Sequence, residues 1–315
     1  MPMDLQNPNI HPNHHHHRLL AAIDMGTNSF KMVLIKANPD TGRFLSIDRL
    51  REPVLLGRGT TDSNRSIFPD SQSRAISALR SFSRSLQTHQ VHDSRVIATS
   101  AVREAPNRAE FLARVRDEVG LQVDVLSGEE EARLIYLGVS QCLPVRDSAA
   151  LVVDIGGGST EFVVGNRGEV LFAASLKLGH VCLTEMFGRE GRIADMRGHV
   201  NAVLKESALA ERVRELGFDV AVGSSGTVRS IGKVVGGAAI GRRELGGVVE
   251  ALCGEGGGAD GARRMGFPKR RAGTIVAGAV LLGEVFEALG VAEMRVSEYA
   301  LGEGVVAEML RRGRE

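Results

Sequence analysis

One segment of this 315-residue chain occurs twice, and this repeat constrains the fold more than any other feature of the sequence. The first copy, residues 20–35, reads LAAIDMGTNSFKMVLI, and the second, residues 151–165, reads LVVDIGGGSTEFVVG. A shift of 130 positions aligns Asp24 with Asp154, Gly26 with Gly156, Ser29 with Ser159 and Val33 with Val163. Each copy contains an apolar run, an acid, a turn with glycine and a second apolar run, which predicts a β-hairpin.

A second pair of segments repeats in the same order. Residues 96–103 resemble residues 222–229, and a shift of 126 aligns Val102 and Arg103 with Val228 and Arg229. Each match is short, but the shared order and the nearly equal shifts indicate two related domains. Because helical patterns lie between these pieces, we predict an α/β fold in which a hairpin opens each half and helices cover the sheets.

The helices are predicted from amphipathic spacing and from residues that start or stop helices. They cover residues 70–87, 107–120, 199–216, 273–289 and 302–311. Asn107 and Glu110 resemble a capping box at the start of the second of them. A further strand is expected at Met294–Ser297. The interval from Gly236 to Lys269 is rich in glycine and shows no pattern from which we predict an element.

Composition limits the possible partners and the compartment. The 39 basic and 38 acidic residues give a net charge of +1, so no global field attracts nucleic acid or an anionic membrane. The three cysteines are widely spaced, as expected for thiols in the reducing cytoplasm. The longest apolar stretch, Ala272–Leu282, is shorter than the roughly 20 residues that span a bilayer. Residues 1–18 are rich in Asn, Pro and His, which is typical of a disordered low-complexity tail.

The turn of the second hairpin has the chemistry of a phosphate site. Residues 154–161 read DIGGGSTE. Three successive glycines let backbone N–H groups approach a bulky anion, and the hydroxyls of Ser159 and Thr160 add further donors. Asp154 and Glu161 flank these donors and would repel a bare phosphate. Their presence suggests that a hard cation such as Mg²⁺ lies between them and the phosphate.

Five motifs in a constant order carry a resemblance to a known family. They are DMGTNS at 24–29, ATSAVR at 98–103, SGEEEARLIYLGV at 127–139, DIGGGSTE at 154–161 and GSSGTVRSIG at 223–232. From Leu19 onward, the chain resembles the exopolyphosphatase and guanosine pentaphosphate phosphohydrolase family, in its short two-domain form. The resemblance implies the duplicated actin, Hsp70 and sugar-kinase type of fold, with ribonuclease H-like domains and an active site in the cleft between them.

The resemblance also implies the reaction and its alternatives. Members remove a terminal phosphate from inorganic polyphosphate or from guanosine pentaphosphate, usually with Mg²⁺, and many are homodimers. An ATP-dependent kinase or ATPase of the same fold is one alternative, and a non-catalytic sensor of polyphosphate or alarmone is another. We expect domain I at residues 19–140, domain II at 141–301, and a C-terminal helix at 302–315 that packs back on domain I.

The resemblance assigns catalytic roles to two glutamates. Glu131 matches the acid that turns water toward phosphorus, and Glu161 matches a second glutamate that positions water or binds the cation. Each glutamate also has a simpler, non-catalytic interpretation. Glu131 could merely compensate the dipole at the start of its helix. Glu161 could occupy a surface-facing position of its strand. By the same duplication, Asp24 and Asp154 would face each other and bind Mg²⁺ together with Glu161, although each could instead cap its own turn.

The remaining site residues are expected to bind phosphate. They are Gly26, Thr27, Asn28, Ser29, Arg103, Gly156, Gly157, Gly158, Ser159, Thr160, Gly223, Ser224, Ser225, Gly226 and Thr227. Candidates for a channel that holds further phosphates are Arg229, Lys177 and the cluster 269–271. For Arg103, an exposed position paired with an acid is the alternative. For this cluster, the alternative is a solvated basic surface.

Overall fold

The computed structural model describes residues 17–59, 65–143, 148–188 and 192–313, so the predicted tail lies almost wholly outside the described part. The described residues form two sheets. The first contains β1 (Arg18–Met25), β2 (Phe30–Ala37), β3 (Phe44–Glu52), β4 (Asp93–Ala98) and β5 (Val123–Val125). The second contains β6 (Ala150–Ile155), β7 (Thr160–Asn166), β8 (Glu169–Leu176), β9 (Val220–Ser224), β10 (Ala239–Gly241) and β11 (Glu293–Val296).

The two sheets share one topology. Their strand orders are β3-β2-β1-β4-β5 and β8-β7-β6-β9-β11-β10. In each, the first three strands form an antiparallel meander, and the next strand pairs in parallel with the first. β10 adds an antiparallel edge to the second sheet. The duplication predicted from the sequence repeat and the duplicated actin-like fold implied by the family resemblance are therefore confirmed.

Helices flank both sheets. Those before the second sheet are α1 (Pro69–Thr88), α2 (Ser100–Arg103), α3 (Arg108–Val119) and α4 (Gly128–Cys142). The next are α5 (His180–Phe187), α6 (Ile193–Glu206), α7 (Leu209–Leu216), α8 (Ser225–Val235) and α9 (Arg242–Cys253). The last are α10 (Gly258–Arg264), α11 (Lys269–Ala272), α12 (Ile275–Leu289) and α13 (Leu301–Arg312). The helices predicted at 70–87, 107–120, 273–289 and 302–311 are confirmed as α1, α3, α12 and α13.

Local predictions differ from the structure at three places. The single helix predicted at 199–216 is two helices, α6 and α7, because Ala208 adopts a left-handed conformation with φ 52° between them. The interval 236–269 contains β10, α9 and α10, since Leu245, Val248, Val249 and Leu252 form a buried helical face despite the glycines. Asn107 does not cap α3, because its side-chain amide exchanges two hydrogen bonds with the backbone of Ile67, at 2.9 and 3.0 Å.

Two long helices cross between the sheets. α4 packs on β7 and β8 of the second sheet, whereas α13 packs on β1 and β2 of the first, and the two helices pack on each other. Each helix contributes a glycine to the crossing point. A Cβ atom at Gly138 would overlap the carbonyl oxygen of Ala300, and one at Gly304 would overlap that of Leu134. The division of the chain at residues 140 and 301 stays a prediction.

None of the helices in the described ranges combines the length and the apolar composition that a membrane crossing requires.

We expect Gly304→Ala to destabilise the protein by about 1–3 kcal/mol, because its methyl group would push α13 away from the backbone of α4. Urea or thermal unfolding would measure the change. Gly246→Ala is the matched control, since it lies within α9 and no atom lies within 4 Å of the position that its Cβ would take. That control should stabilise the protein by roughly 0.5–1 kcal/mol. Equal effects of the two substitutions would contradict the importance of the crossing.

Candidate active site

The two repeated hairpins place their acids at equivalent register positions. Asp24, near the end of β1, pairs across the hairpin with Lys31, and Asp154, near the end of β6, pairs with Glu161. The residues that pair with the two aspartates, Lys31 and Glu161, have opposite charges. Lys31 Nζ lies 3.1 Å from Asp24 Oδ2, so the first hairpin carries an ion pair. The second carries two neighbouring carboxylates, so the duplicated design is electrostatically asymmetric.

A cluster of four buried carboxylates results when Glu131 joins these acids. Asp24, Glu131, Asp154 and Glu161 are between 2% and 8% exposed. Their direct cationic partners among the described residues are Lys31, on Asp24, and an arginine on Glu131. We call this group the acid cluster. When all four carboxylates are ionised, the two cationic partners leave the acid cluster with an excess of negative charge.

The electrostatics of the acid cluster follow from burial. Burial raises the pKa of Glu131 to about 7, although the guanidinium of Arg103 opposes the shift. Burial also raises the pKa of Glu161 well above its usual range, and the charges of Glu131 and Asp154 add to the effect. The pKa of Asp154 is raised by burial as well, against a hydrogen bond that its carboxylate accepts from Ser224. The cluster therefore favours either protons or a bound cation.

Glu131 is held in place by its neighbours. It lies in the first turn of α4, where Ser127 Oγ accepts a hydrogen bond from the N–H of Glu130 and caps the helix. Arg103 Nη1 donates to Glu131 Oε2 at 2.8 Å and to the carbonyl oxygen of Leu126 at 3.0 Å. Arg103 therefore orients the carboxylate from behind and is not itself at the surface of the cleft.

The two glycine loops meet at the floor of the cleft. A Cβ at Gly157 would lie 2.9 Å from Thr27 Cβ, and one at Gly158 would lie 2.6 Å from Ser100 Oγ and 2.9 Å from Thr27 Oγ1. Only glycine lets the second loop approach the first so closely. This contact brings both hairpin turns to one cavity, as expected for a site that holds an anion from two sides.

This cavity has a volume of about 620 Å³ and is lined by both halves of the chain. Most of the residues predicted for the site reach it. They are Asp24, Gly26, Thr27, Asn28, Ser29, Glu131, Asp154, Gly156, Gly157, Gly158, Ser159, Ser225 and Gly226. The structure thus brings the two hairpin turns, the start of α4 and the start of α8 together.

The remaining predicted residues lie behind the cavity surface. Thr160 Oγ1 donates to the carbonyl oxygen of Leu178 at 2.5 Å. Glu161 accepts a hydrogen bond from Ser175 Oγ at 2.8 Å, and Ser224 donates to Asp154. These contacts position the residues that reach the cavity. The full set behind the surface is Arg103, Thr160, Glu161, Gly223, Ser224 and Thr227.

Five arginines line the cavity as well. One of them, Arg49, is ion-paired with Glu303. The other four form what we call the arginine group. They are Arg51, Arg229, Arg270 and Arg271. Arg51 Nε donates to Ser29 Oγ at 2.9 Å, which ties β3 to the first loop. Burial, together with the charges of the other three, lowers the pKa of Arg271 to about 9. Mutual repulsion among these cations indicates a site for a multiply charged anion.

Three of the channel candidates predicted from the sequence, Arg229, Arg270 and Arg271, line the cavity together with residues that were not predicted. Among the latter, Lys31, Arg51 and His180 lie outside the five motifs, whereas Ser100 lies within the motif at 98–103. The register of the hairpin repeat could have found Lys31, which aligns with Glu161 at the same shift of 130. Lys177 lines a separate cavity of about 170 Å³, where it is ion-paired with Glu104 at 2.8 Å.

The acid cluster fits a hard divalent cation. Its donors are carboxylate oxygens, and Asp24 Oδ1 is buried without a hydrogen-bond partner. Within the described ranges, no three His, Cys, Asp or Glu side chains are arranged to hold a metal ion by themselves. Mg²⁺ commonly keeps waters and shares phosphate oxygens with one or two carboxylates, so an incomplete protein shell agrees with that ion.

Comparison with known proteins defines the class. The Ppx/GppA phosphatase family model matches residues 34–313. An exopolyphosphatase from Cytophaga hutchinsonii is 27% identical, with 94% of this chain and 98% of that one covered and a TM-score of 0.83. A Ppx/GppA family member from Aquifex aeolicus is 26% identical, with coverages of 95% and 99% and a TM-score of 0.78. The protein is a phosphoanhydride hydrolase. It belongs to the Ppx/GppA phosphatase family.

We expect the metal-free protein to lose stability as the pH rises through about 7, because the raised pKa of Glu131 favours its protonated form in the folded state. The protonated Glu131 stabilises the folded state fully at a pH below the ordinary pKa of a glutamate. This stabilisation, on the order of 2–3 kcal/mol, is lost once the pH exceeds the raised pKa. Thermal unfolding with a chelator at pH 5.5 and 8 would measure it. Glu131→Gln should make the profile less steep while Glu161 and Asp154 keep their contributions, and a profile unchanged by that substitution would contradict the assignment.

Proposed function

We propose that the protein is a Mg²⁺-dependent exopolyphosphatase, which releases terminal orthophosphate from inorganic polyphosphate. The observation that carries this proposal is that one cavity is lined by Asp24, Glu131 and Asp154 of the acid cluster, by both glycine loops and by the arginine group. The acids and loops suit a reacting phosphate with a cation, and the arginines suit the other charges of a polyanionic chain. The exopolyphosphatase from Cytophaga hutchinsonii, similar over nearly the whole chain, supports the same substrate class.

In this proposal, Glu131 is the general base. Its carboxylate lines the cavity and accepts a proton from the attacking water, whose oxygen forms the new bond to phosphorus while the bridging oxygen leaves with the shortened chain. A base with a pKa of about 7 is well matched to neutral pH. Arg103, 2.8 Å from Glu131, keeps the carboxylate oriented toward the cavity.

Phosphate binding would fall to the two loops. The turns at residues 26–29 and 157–159 line the cavity and would offer backbone N–H groups to the reacting phosphate, and Thr27, Ser29 and Ser159 would add hydroxyl donors. Asp24 and Asp154 would hold Mg²⁺, with Glu161 supporting Asp154 from behind the cavity surface. When bound, the ion neutralises phosphate oxygens and the excess charge of the acid cluster.

The structure bears on the alternatives as well. An ATP-binding role requires an open loop at the start of α8, but the guanidinium of Arg271 lies against Gly226, where even a methyl group would overlap it. This favours the phosphohydrolase over a kinase. Guanosine pentaphosphate carries the same phosphoanhydride chemistry, so rates on polyphosphate and on guanosine pentaphosphate should be compared side by side.

We expect Glu131→Gln to reduce orthophosphate release from polyphosphate by about 10²–10⁴-fold, because the amide cannot accept a proton from water. Release would be measured with purified protein, Mg²⁺ and polyphosphate of defined length. Glu129→Gln is the matched control, since Glu129 is exposed two residues away on the same helix turn. The proposed function fails if wild type and Glu131→Gln release equally little phosphate from both substrates under varied metals.

We expect Asp154→Asn to raise the Mg²⁺ concentration needed for half-maximal activity by roughly tenfold or more, because a neutral amide attracts a cation less strongly than a carboxylate does. A Mg²⁺ titration of the initial rate would measure this. Asp124→Asn, at an exposed position in β5, is the control and should leave the requirement unchanged. An unaltered requirement in Asp154→Asn would rule Asp154 out as a ligand.

A further inference from the structure

His180 is a buried histidine that the proposed mechanism does not use. It is the first residue of α5, it is 3% exposed, and its ring lines the main cavity. Its backbone N–H donates to the carbonyl oxygen of Gly156 at 3.1 Å. A Cβ at the preceding Gly179 would overlap the backbone of Gly157, so the start of α5 is pressed against the second glycine loop. The position of His180 is therefore tightly defined.

The side chain next to His180 is a buried cation without an acidic contact. Arg271 is 6% exposed, and no salt bridge joins it to a carboxylate in the described part of the chain. Asp154 attracts it only from a longer distance, whereas Arg51, Arg229 and Arg270 repel it. A buried charge normally has a close counter-ion, so this guanidinium needs another partner to hold it in place.

That partner is the imidazole of His180. Arg271 Nη1 lies 3.4 Å from His180 Nε2. A guanidinium has only donors, so Nε2 must be the acceptor and the ring proton must be on Nδ1. Nδ1 is buried and has no hydrogen-bond partner of its own. Burial and the nearby charges of Arg271, Arg51 and Lys31 also lower the pKa of His180 to about 3, in agreement with a neutral ring.

A neutral acceptor has a consequence that a carboxylate would not have. An Asp or Glu at this position would pair with Arg271 and cancel its charge, whereas the imidazole fixes the guanidinium and leaves its full charge in the cavity. We infer that His180 is a positioning residue, which holds Arg271 with its charge uncancelled so that it binds a phosphate group of the substrate other than the one cleaved. This inference rests on the proposed function and adds a determinant of polyanion affinity to it.

The test uses three substitutions at one position. His180→Gln keeps a neutral acceptor that reaches Arg271, so its KM for polyphosphate should stay within about threefold of wild type. His180→Leu loses the acceptor, and His180→Glu supplies a competing charge. We expect KM to rise by roughly tenfold in His180→Leu and by more in His180→Glu, with kcat changing far less. Thermal unfolding checks that each variant is folded.

Two further measurements keep the result interpretable. Binding of tripolyphosphate to the Glu131→Gln protein, with and without each His180 substitution, reports affinity without turnover. His180→Leu should weaken binding in the presence of Arg271 and have no further effect after Arg271→Gln. Equal affinities across the His180 series, or additive effects with Arg271→Gln, would overturn the inference. Tripolyphosphate binding that depends on His180 and Arg271, in a wild-type protein that releases no orthophosphate, would instead count against the proposed function alone.

Discussion

The repulsion within one buried group of carboxylates is the constraint on which the rest of this protein depends. Asp24, Glu131, Asp154 and Glu161 are nearly inaccessible to solvent, yet only Lys31 and Arg103 pair with them directly among the described residues. Burial of like charges is unfavourable unless protons or a cation compensate. The glycine loops, the cap of α4 and the close helix crossing all act to hold these charges in one place, and the cation that we propose for the site would compensate them.

The parts of the structure that depend on local pattern could be predicted from the sequence. The apolar runs around Asp24 and Asp154 specify hairpins, because strand periodicity and glycine turns act over a few residues. The shift of 130 positions then predicts duplication, and the topology of the two sheets confirms it. The loop residues converge on one cavity for the same reason, since equivalent turns lie at equivalent ends of equivalent sheets.

The parts that depend on distant packing could not be predicted. Arg51 reaches the cavity from β3, and His180 reaches it from the start of α5, and neither lies in a phosphate-binding motif. Their roles arise from neighbours more than 20 residues away in the chain, such as Ser29 for Arg51 and Arg271 for His180. The break at Ala208 and the helix α9 were missed because left-handed backbone and glycine-rich helices contradict average propensities, which tertiary packing can override.

The pairing of Lys31 with Asp24 and of Glu161 with Asp154 gives the cleft a polarity. Two identical hairpins would form a cradle with the same charge on both sides. The exchange of charge at this one register position breaks that symmetry, because cations are drawn toward the second hairpin and anionic oxygens toward the lysine of the first. The duplicated scaffold thereby offers a cation and an anion unlike surroundings within one cleft.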